Sequence, residues 1–563
     1  MYRDKPTVAK LAFTPSKTVK WSFGIRSDFM LRITEIKLPL DHAPEALTAA
    51  ICRKLGTSAA DLLSVHIHRR GYDARKKSQI TFVYTVDVAV RDEAAVRKRC
   101  RSDRHVSEAP DMRYQFVTQR QSPPARRPLV IGFGPAGMFA ALLLAQMGFA
   151  PIVLERGKPV RERTQDTWGL WRRRELNPES NVQFGEGGAG TFSDGKLYSQ
   201  IRDPKHYGRK VTEELIRAGA PEEIAYVSKP HIGTFRLVGI VERIRHQIES
   251  LGGEIRFQSH VSAFRREGDA ILGVTLADGS HIDASQMILA IGHSARDTFA
   301  ALHASGVYME AKPFSVGVRI EHPQSLIDHC RLGPASGHPE LGAADYRLVH
   351  HASNGRAVYS FCMCPGGTVV AATSEPGRVV TNGMSQYSRN ERNANSAIVV
   401  NVEPADFPHT DVLAGIAFQQ ELESRAFVAG GSNYNAPAQR VGDFLAGRPS
   451  TQLGSVEPSY QPGVTPTDLS SILPDYVVDA IREALPAFDR QLRGFAMDDA
   501  IMTGVETRTS SPVRIRRDDT SLQSINTAGL YPAGEGAGYA GGILSAAIDG
   551  IRVAEALALA NRE

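Results

Sequence analysis

The chain carries three matches to the pattern G-x-G-x-x-G, in which glycines let the backbone turn tightly and bring free amides to a phosphate. A bare match is weak, so the flanking residues must separate a nucleotide-binding turn from an ordinary glycine loop. The matches are Gly132/Gly134/Gly137, Gly185/Gly187/Gly190 and Gly536/Gly538/Gly541.

The first match has the full context of a dinucleotide-binding turn. The segment "PLVIGFGPAGMFAALLLAQMGFAPIVLERG" predicts a buried strand, the turn, an apolar helix and a second strand that ends at Glu155. Gly132 permits the turn, Gly134 lets the backbone approach a pyrophosphate, and Gly137 lets helix and strand pack closely. Glu155 is expected to accept both hydroxyls of an adenosine ribose. Because an acid at this position disfavours a 2′-phosphate, the residues predict FAD or NAD rather than NADP.

The second match lies in "NVQFGEGGAGTFSDGKLYSQ", which follows no clear strand and opens no apolar helix. Such a loop can lie flat against a planar ring, because it offers backbone amides without side-chain bulk. Asp194 and Lys196 would then face the ligand. A tight surface loop without a ligand is the alternative, and the sequence leaves both open.

The third match lies in "INTAGLYPAGEGAGYAGGILSAAIDGIRVAEAL". This segment predicts a strand ending at Ala533, a turn that carries Glu535, and a helix whose N-terminus is built by Gly541 and Gly542. Ligands of open α/β sheets lie at the carboxyl ends of the strands. We therefore expect this last strand to return beside the first one and to bring a second helix N-terminus to the same ligand.

Several motifs together resemble known flavoproteins. "VIGFGPAGMFAAL" with "VLERG", "MILAIGHSA" and "LYPAGEGAGYAGGI" resemble the FAD-binding fold of the glutathione-reductase type. More narrowly, "FGEGGAGTFSDGKL", "KPHIGT", "FCMCPGG", "NANSAI" and "GVETRTSSPVRI" resemble bacterial FAD-dependent dehydrogenases that carry an extra N-terminal domain. The likeness covers nearly everything from Met30 onward.

This resemblance implies FAD as the cofactor, with Glu155 on its ribose, Gly134 and Gly137 at its pyrophosphate, and Glu535 near its ribityl chain. The wider fold usually places Asp where Glu535 stands. The pattern and the resemblance together predict these cofactor-binding residues: Gly132, Gly134, Pro135, Ala136, Gly137, Glu155, Arg156, Gly188, Gly190, Thr191, Gly292, Gly534, Glu535, Gly541, Gly542 and Ile543.

Three side chains are candidates for catalysis if the flavin carries the redox step. His231 is a candidate proton donor, Lys196 would face the ligand, and Arg508 would bind a substrate carboxylate. The alternatives are a helix-entry histidine satisfied by hydrogen bonds and, for Arg508, a solvated charged face. Further candidates are Arg514, Arg319 and His322.

Two cysteines are close in sequence, in "SFCMCPGG". The segment predicts a strand running into a turn, where Cys362 and Cys364 would share a face. In an extended strand their α-carbons would lie about 6.5–7 Å apart, at the limit for a disulfide. Buried structural thiols and a redox or ligand role both stay open. Since no cysteine pair follows "VLERG", a dithiol relay of the disulfide-reductase type is not expected.

The changing periodicity along the chain predicts an α/β protein of several domains. From Met30 the pattern β-α-β-β-α-β is ferredoxin-like, and "RQSPPARRP" is typical of a linker. We predict an extension without structure (1–29), a ferredoxin-like α+β domain (30–120), a linker (121–127), a Rossmann-like FAD-binding domain of the glutathione-reductase type (128–312 and 500–563), and an inserted, mainly β plus helical substrate domain (313–499).

Composition narrows the class of protein. A net charge of +5 and a pI near 8.8 suit acidic ligands but fall short of a dedicated nucleic-acid binder. Five cysteines without zinc-ligand spacing predict neither a disulfide framework nor a metal site. No apolar run reaches membrane length, and the first residues lack the apolar core of a secretory signal. A cytoplasmic location is expected, with a transit peptide as the alternative.

The sequence therefore predicts a FAD-dependent oxidoreductase that transfers hydride or electrons between the flavin N5 and a small organic substrate. Since no second strand-turn-helix fingerprint exists, NAD(P)H is expected only as a transient donor without a domain of its own. Two alternatives stay open: an RNA-modifying flavoprotein whose "RRGYDARKK" segment binds RNA, and a flavin sensor without turnover. Neither a nucleic-acid partner nor a membrane is expected.

Overall fold

The computed structural model describes residues 30–561. The backbone divides into two compact units, one formed by residues 30–111 with 226–228 and the other by residues 112–225 with 229–561. The extension predicted for residues 1–29 lies outside the described residues.

The first unit is an antiparallel sheet of strand order β2-β3-β1-β4 with two helices. Its elements are β1 (Leu31–Pro39), α1 (Glu45–Leu55), β2 (Leu62–Asp73), β3 (Thr81–Val90), α2 (Glu93–Arg99) and β4 (Val106–Glu108). Alternate residues of β1 and β3, such as Ile33 and Val86, are fully buried. The alternation in β1 shifts after Ile33, where Glu35 takes a positive φ of 58° and a bulge turns Ile36 back into the core.

The second unit begins with a five-stranded parallel sheet of order β22-β11-β5-β6-β7, in which β22 is the late strand Leu530–Pro532, and a small antiparallel sheet of order β10-β9-β8. The elements up to residue 304 are β5 (Leu129–Ile131), α3 (Pro135–Gln146), β6 (Ile152–Leu154), α4 (Val160–Arg173), α5 (Tyr207–Arg217), α6 (Thr234–Ser250), β7 (Glu254–Arg256), β8 (Val261–Glu267), β9 (Ala270–Leu276), β10 (His281–Asp283), β11 (Met287–Leu289) and α7 (Arg296–Ala304). Strands β5 and β11 are buried along their whole length, as parallel strands covered on both faces must be.

The rest of this unit holds a large, mostly antiparallel sheet of order β14-β15-β17-β13-β20-β18-β19, with β16 paired to β15. The elements from residue 309 onward are β12 (Met309–Ala311), β13 (Phe314–Pro323), α8 (Gln324–Leu332), β14 (Val349–His351), β15 (Ala357–Ala371), β16 (Thr381–Ser385), β17 (Asn393–Val402), α9 (Ala414–Ala429), β18 (Ala436–Arg440), α10 (Val441–Leu445), β19 (Val464–Pro466), α11 (Asp475–Gln491), β20 (Ile501–Glu506), β21 (Val513–Ile515), β22 (Leu530–Pro532) and α12 (Ile543–Ala560). Strands β12 and β21 form a separate antiparallel pair. The inserted domain was predicted to end at residue 499. Because β20 pairs with β13 and β18, the large sheet extends beyond that boundary.

The parallel sheet corrects one expectation. The last strand, β22, pairs with β11 rather than with β5, because β11 lies between the two. The expectation that β22 returns beside the first strand of the dinucleotide-binding turn is therefore wrong by one position. Helices α3 and α12 nevertheless touch, and a Cβ on Gly550 would collide with the carbonyl oxygen of Ala136. Among residues 30–561, no helix is long and apolar enough to cross a membrane.

Candidate functional site

A cavity of about 1320 Å³ lies in the second unit, at the carboxyl end of the parallel sheet. Its lining includes residues that follow β5, β11 and β22, at the edge where open α/β sheets bind ligands. Two walls can be distinguished. The glycine wall consists of residues 132–136, Gly185, residues 188–190, Glu535 and residues 541–543. The sheet wall consists of residues 345–349, 359–363, Asn382, Glu506 and Arg508.

Most of the predicted cofactor residues line this cavity. They are Gly132, Gly134, Pro135, Ala136, Glu155, Arg156, Gly188, Gly190, Gly292, Glu535, Gly541, Gly542 and Ile543. The catalytic candidates Lys196 and Arg508 line it as well. The predicted residues that lie outside the lining are Gly137, Thr191, Gly534 and His231.

The turn after β5 has the backbone that its glycines allow. Gly132 takes a φ of +94°, and a Cβ there would collide with the carbonyl oxygen of Ala290. A Cβ on Gly137 would collide in the same way with the carbonyl oxygen of Gly132. Gly134 caps α3, and the amide of Met138 donates back to its carbonyl. The amides of Ala136 and Gly137, in the first turn of α3, precede the hydrogen-bonded ladder and are suited to an anion.

Glu155 is almost fully buried at the end of β6, with 5% of its surface exposed. Its Oε1 accepts the amides of Gly157 and Gly185, each at 2.9 Å, and its Oε2 accepts the amide of Phe133 at 2.8 Å. A carboxylate has about four acceptor positions, so roughly one is left for a ribose hydroxyl. The sequence did not predict the other three bonds, by which this carboxylate joins the first glycine turn to the second.

Arg156 lines the cavity next to Glu155. Its guanidinium pairs with Glu179 and with Asp297, each at 2.9 Å, and lies 4.0 Å from the ring centre of Phe184. The charge of this arginine is therefore already engaged by two carboxylates, and its contribution to the cavity is a fixed, flat surface.

The second glycine segment lies directly against the first. Gly188 has a φ of +62°, and a Cβ on it would lie 2.8 Å from the α-carbon of Gly134. A Cβ on Gly190 would lie 2.9 Å from the Ile543 side chain, at the start of α12. The three glycine segments thus meet at one place, where no side chain fits. Thr191 is buried behind them, with its amide donating to the Gly188 carbonyl.

An arginine that sequence reasoning missed holds this second segment. Arg163, in α4, is fully buried and donates to four backbone carbonyls, those of residues 181, 182, 185 and 186. Burial lowers its pKa to about 10, still far above neutrality, so the guanidinium is charged. No local pattern distinguishes Arg163 from the exposed arginines of the same helix.

The third segment is positioned by a buried ion pair. Arg517 and Asp549 pair at 2.6 Å, and the same carboxylate accepts the amide of Gly534 at 2.8 Å. Glu535 follows, and burial raises its pKa to about 7, partly offset by the positive charge of Lys312. One backbone amide, that of Ser511, donates to Glu535 at 3.3 Å. The sequence signal that could have identified Asp549 as a buried, paired group is that it is the single aspartate in the mostly apolar segment "SAAIDGIRVAEAL".

These features fit a dinucleotide of the FAD type. Glycines remove side chains where three backbone segments converge, amides at the start of α3 suit a pyrophosphate, and Glu155 keeps an acceptor position for a ribose hydroxyl. The cavity extends beyond the glycine wall to the sheet wall, which leaves room for a second molecule.

Lys196 lies between the two walls. Its ammonium is 3.5 Å from the Asp194 carboxylate and donates to the Met363 carbonyl. Although burial opposes it, the nearby thiols and Asp194 raise the pKa of Lys196, so the ammonium stays charged. Asp194 is also buried, yet Lys196 and Arg389 lower its pKa to about 2. Because Lys196 and Arg389 share the single carboxylate of Asp194, a net positive charge remains beside the cavity.

His231 does not line the cavity. Its backbone forms a β-bridge with Lys196, but its imidazole stacks on Tyr387 and hydrogen-bonds through Nε2 with the Tyr387 carbonyl at 3.0 Å. Burial and the charge of Arg389 lower its pKa. The geometry is that of a histidine satisfied at a helix entry.

Arg508 lines the sheet wall within a buried network. It donates three of its five N–H groups, two to Glu423 and one to Ser374. Within the described residues, two N–H groups are thus left for a ligand. Glu423 also pairs with Arg296 at 2.7 Å, so two guanidinium groups share one carboxylate. Arg514 lies outside the lining and donates to the Gly538 carbonyl.

Arg319 and His322, on β13, are fully buried. Arg319 donates all five N–H groups, to Glu506, Asn395, Asn382 and the Cys362 carbonyl. It is therefore saturated and cannot bind a substrate carboxylate. His322 makes a 2.7 Å hydrogen bond with the Phe495 carbonyl. Neither residue lines the cavity, so both predictions of a substrate contact are wrong: Arg319 is saturated by its partners, and His322 is fully buried with one ring nitrogen, Nδ1, left without a partner among the described residues.

Comparison with known proteins gives one close relative. A protein of Clostridium beijerinckii, described only as uncharacterized, is 50% identical over 526 residues, which cover 93% of this chain and 98% of that protein. Residues 313–509 match a family model described as "FAD-dependent protein, C-terminal domain-like". Residues 30–89 match a model described as a domain of unknown function, DUF8436.

Solved structures give only distant likenesses. Glycine oxidase from Bacillus cereus is 11% identical with a TM-score of 0.31, over 78% of this chain and 96% of that one. Glycerol-3-phosphate dehydrogenase from Bacillus halodurans, complexed with FAD, is 12% identical with a TM-score of 0.33, over 77% of this chain and 64% of that one. Likenesses at these TM-scores support no statement about the site.

The relative at 50% identity spans almost the whole of both chains, and the family model matches the part of this chain that builds the sheet wall. The glycine wall has the backbone and the acceptor that a flavin dinucleotide needs. This chain therefore belongs to the same family as the Clostridium beijerinckii protein, its residues 313–509 match the FAD-dependent C-terminal domain-like model, and its cofactor is FAD.

Proposed function

We propose that this chain is a FAD-dependent oxidoreductase that transfers hydride or electrons between the flavin N5 and a small organic substrate. One observation carries the proposal: a single cavity has a glycine wall suited to a dinucleotide and, facing it, a sheet wall lined by charged and polar side chains. The polar wall supports a substrate compartment next to the cofactor.

Each part of the cavity has a role in this proposal. Bound FAD would supply the hydride- or electron-transfer step at its N5. Glu155 accepts a ribose hydroxyl, and the amides at the start of α3 hold the pyrophosphate. Lys196 keeps a positive charge in the cavity and favours anionic groups there. The two remaining N–H groups of Arg508 orient a substrate carboxylate or carbonyl.

We further propose NAD(P)H as a transient electron donor that docks in this cavity without a domain of its own, because all three G-x-G-x-x-G matches contribute residues to the one cavity and none is left for a second dinucleotide site. The protein should be purified and its absorbance recorded, and it should then be titrated with NADH and NADPH without oxygen. Bleaching of a flavin spectrum by one of them supports the donor. If neither NADH nor NADPH changes the flavin spectrum, the organic substrate is the electron donor. Protein that binds no FAD after reconstitution would overturn the proposed function.

Replacement of Glu155 tests the cofactor part separately. Glu155→Gln keeps the shape but loses the charge that three amides and a ribose hydroxyl share, so FAD affinity should fall by about 1.5–3 kcal/mol, roughly ten- to a hundredfold. Fluorescence titration of FAD-free protein measures the change. Glu242→Gln, which removes the partner of the exposed Arg161, is the control and should bind FAD like the wild type. Equal affinities in the two variants would contradict the role of Glu155.

The finer architecture is part of the proposal. A ferredoxin-like first unit is supported by its element order and by the strand order β2-β3-β1-β4. A Rossmann-like FAD domain is supported by the parallel sheet, and an inserted substrate domain by the large sheet with the family match over residues 313–509. A cytoplasmic location stays a prediction, which cell fractionation would check.

A further inference from the structure

The sheet wall contains two cysteines at a break in a strand. Strand β15 pairs with β17, but its register shifts between Phe361 and Cys364 and again before Gly367. At Cys362 the φ angle is +43°, which a residue with a side chain seldom adopts. Cys362 lines the cavity with Phe361 and Met363, whereas Cys364 is buried behind it. The regular strand that the sequence predicts for this segment is therefore interrupted between the two thiols.

The break brings the two cysteines together. The Cys364 thiol turns back to donate to the Cys362 carbonyl, with Sγ 3.3 Å from the oxygen. The neighbouring Cys364 thiol and the charges of Lys196 and Arg319 lower the pKa of Cys362 well below its usual value, although burial opposes them. The neighbouring Cys362 and burial raise the pKa of Cys364. Of the two thiols, Cys362 at the cavity surface is therefore the one that forms a thiolate more readily.

Two cations hold this segment in place. Arg319 donates to the Cys362 carbonyl at 3.2 Å, and Lys196 donates to the Met363 carbonyl. Both cations therefore lie against the backbone of the cysteine segment. A thiolate in such surroundings is the form that reacts in thiol and disulfide exchange. A pair of structural thiols would not require cations or access to the cavity.

We propose that Cys362 and Cys364 are a redox-active pair that exchanges two electrons with the FAD bound in this cavity. The inference rests on the proposed function. In the oxidising direction, the Cys362 thiolate and the Cys364 thiol form one S–S bond, and their electron pair passes to the flavin together with the proton of Cys364. In the reverse direction, reduced flavin returns that electron pair and proton, and the S–S bond breaks. The outer substrate is then a thiol or disulfide compound small enough to enter the cavity.

The first test measures the thiols themselves and does not depend on turnover. Full-length holoenzyme is equilibrated without oxygen in mixtures of reduced and oxidised glutathione, quenched with acid, alkylated and mapped by mass spectrometry. The thiols of Cys362 and Cys364 should disappear together with one midpoint, and Cys362→Ser or Cys364→Ser should abolish this loss. Cys330→Ser, outside the cavity lining, should leave the midpoint unchanged. Independent oxidation, a glutathione adduct on Cys362 alone, or no oxidation would overturn the proposal.

The second test counts electrons. Oxidised holoenzyme is titrated anaerobically with dithionite while flavin absorbance is followed. Wild-type protein should take up four electrons per flavin, and Cys362→Ser should take up two, with its flavin spectrum and thermal midpoint showing that it is folded and loaded. Equal uptake by both would overturn the pair while leaving the flavoenzyme intact. Absence of flavin from the wild type would overturn the proposed function itself, so the two failures are distinguishable. Cys362→Ala replaces the serine variant if that one does not fold.

Discussion

The two walls of the cavity are built by opposite means. The glycine wall takes its shape from missing side chains, since Cβ atoms on Gly132, Gly188 or Gly190 would press on neighbouring atoms. The sheet wall takes its shape from side chains that are present, buried and charged, above all the pairs Arg319–Glu506 and Arg508–Glu423. One wall is a backbone surface, and the other is an electrostatic network.

This difference matches the two tasks that the cavity combines. A dinucleotide presents the same phosphates and ribose to every enzyme that binds it, and backbone amides with one carboxylate are sufficient to hold it. A substrate differs from enzyme to enzyme and must be distinguished by side chains. The two walls should therefore be sensitive to different substitutions. The glycine wall should be destabilised when a methyl group is added, and the sheet wall when a charge is removed.

The largest loss of stability is expected from a substitution that removes a buried cation behind the sheet wall. Arg319→Met leaves Glu506 buried without its cation, and removal of one partner from a buried pair costs about 3–5 kcal/mol. The midpoint of urea unfolding should fall accordingly. In the double variant Arg319→Met/Glu506→Gln no carboxylate remains uncompensated, so part of the loss should be recovered.

The matched control for this substitution is Arg161→Met. Arg161 also makes a bidentate pair, with Glu242, but its side chain is 73% exposed and the pair is screened by solvent, so its loss should lower the urea midpoint far less than the loss of Arg319. Similar losses for the two variants would mean that burial does not determine the strength of the sheet-wall pairs, and the contrast between the walls would disappear.

The same difference explains what could be predicted from the sequence. Glycine turns are local, so Gly132, Glu155 and Gly541 could be identified from a few neighbouring residues. Arg319 and Glu506 are 187 positions apart, and only the fold brings them together. A local pattern therefore suggested a substrate contact for Arg319, although all N–H groups of this arginine are hydrogen-bonded inside the sheet. The position of β22 was wrong for a related reason, because sequence order does not state which strand inserts between two others.

Glu535 is the exception on the glycine wall, because it is a buried carboxyl side chain whose burial the positive charge of Lys312 offsets only in part. Burial raises its pKa to about 7, above the usual value of 4.5, so the folded protein holds a proton that the unfolded chain releases. Its contribution to stability is complete below about pH 4.5 and is lost as the pH rises towards 7, by up to about 3 kcal/mol. Urea midpoints of FAD-free protein at pH 5 and pH 7.5 measure this loss.

Glu535→Gln isolates this group from the others that titrate in the same range. The variant should lose less stability than the wild type between pH 5 and pH 7.5, because its amide carries no proton to release. Identical pH dependences would show that Glu535 is ionised in the folded protein, and that a side-chain charge contributes to the glycine wall as it does to the sheet wall.

The smallest of these effects, and the most specific, concerns a single methyl group on the glycine wall. Gly132→Ala and Gly279→Ala both place a side chain at a positive φ, +94° and +86°, so both carry the strain of that backbone. Only at Gly132 does the new Cβ also collide, with the Ala290 carbonyl, whereas at Gly279 it meets no atom within 4 Å. Gly132→Ala should therefore be less stable than Gly279→Ala by about 1–3 kcal/mol and should bind FAD more weakly.

Thermal midpoints and FAD titration of the two proteins measure the difference. If both variants lose the same stability and keep the same FAD affinity, backbone strain alone accounts for the glycines, and the close approach of the two segments is not what shapes this wall.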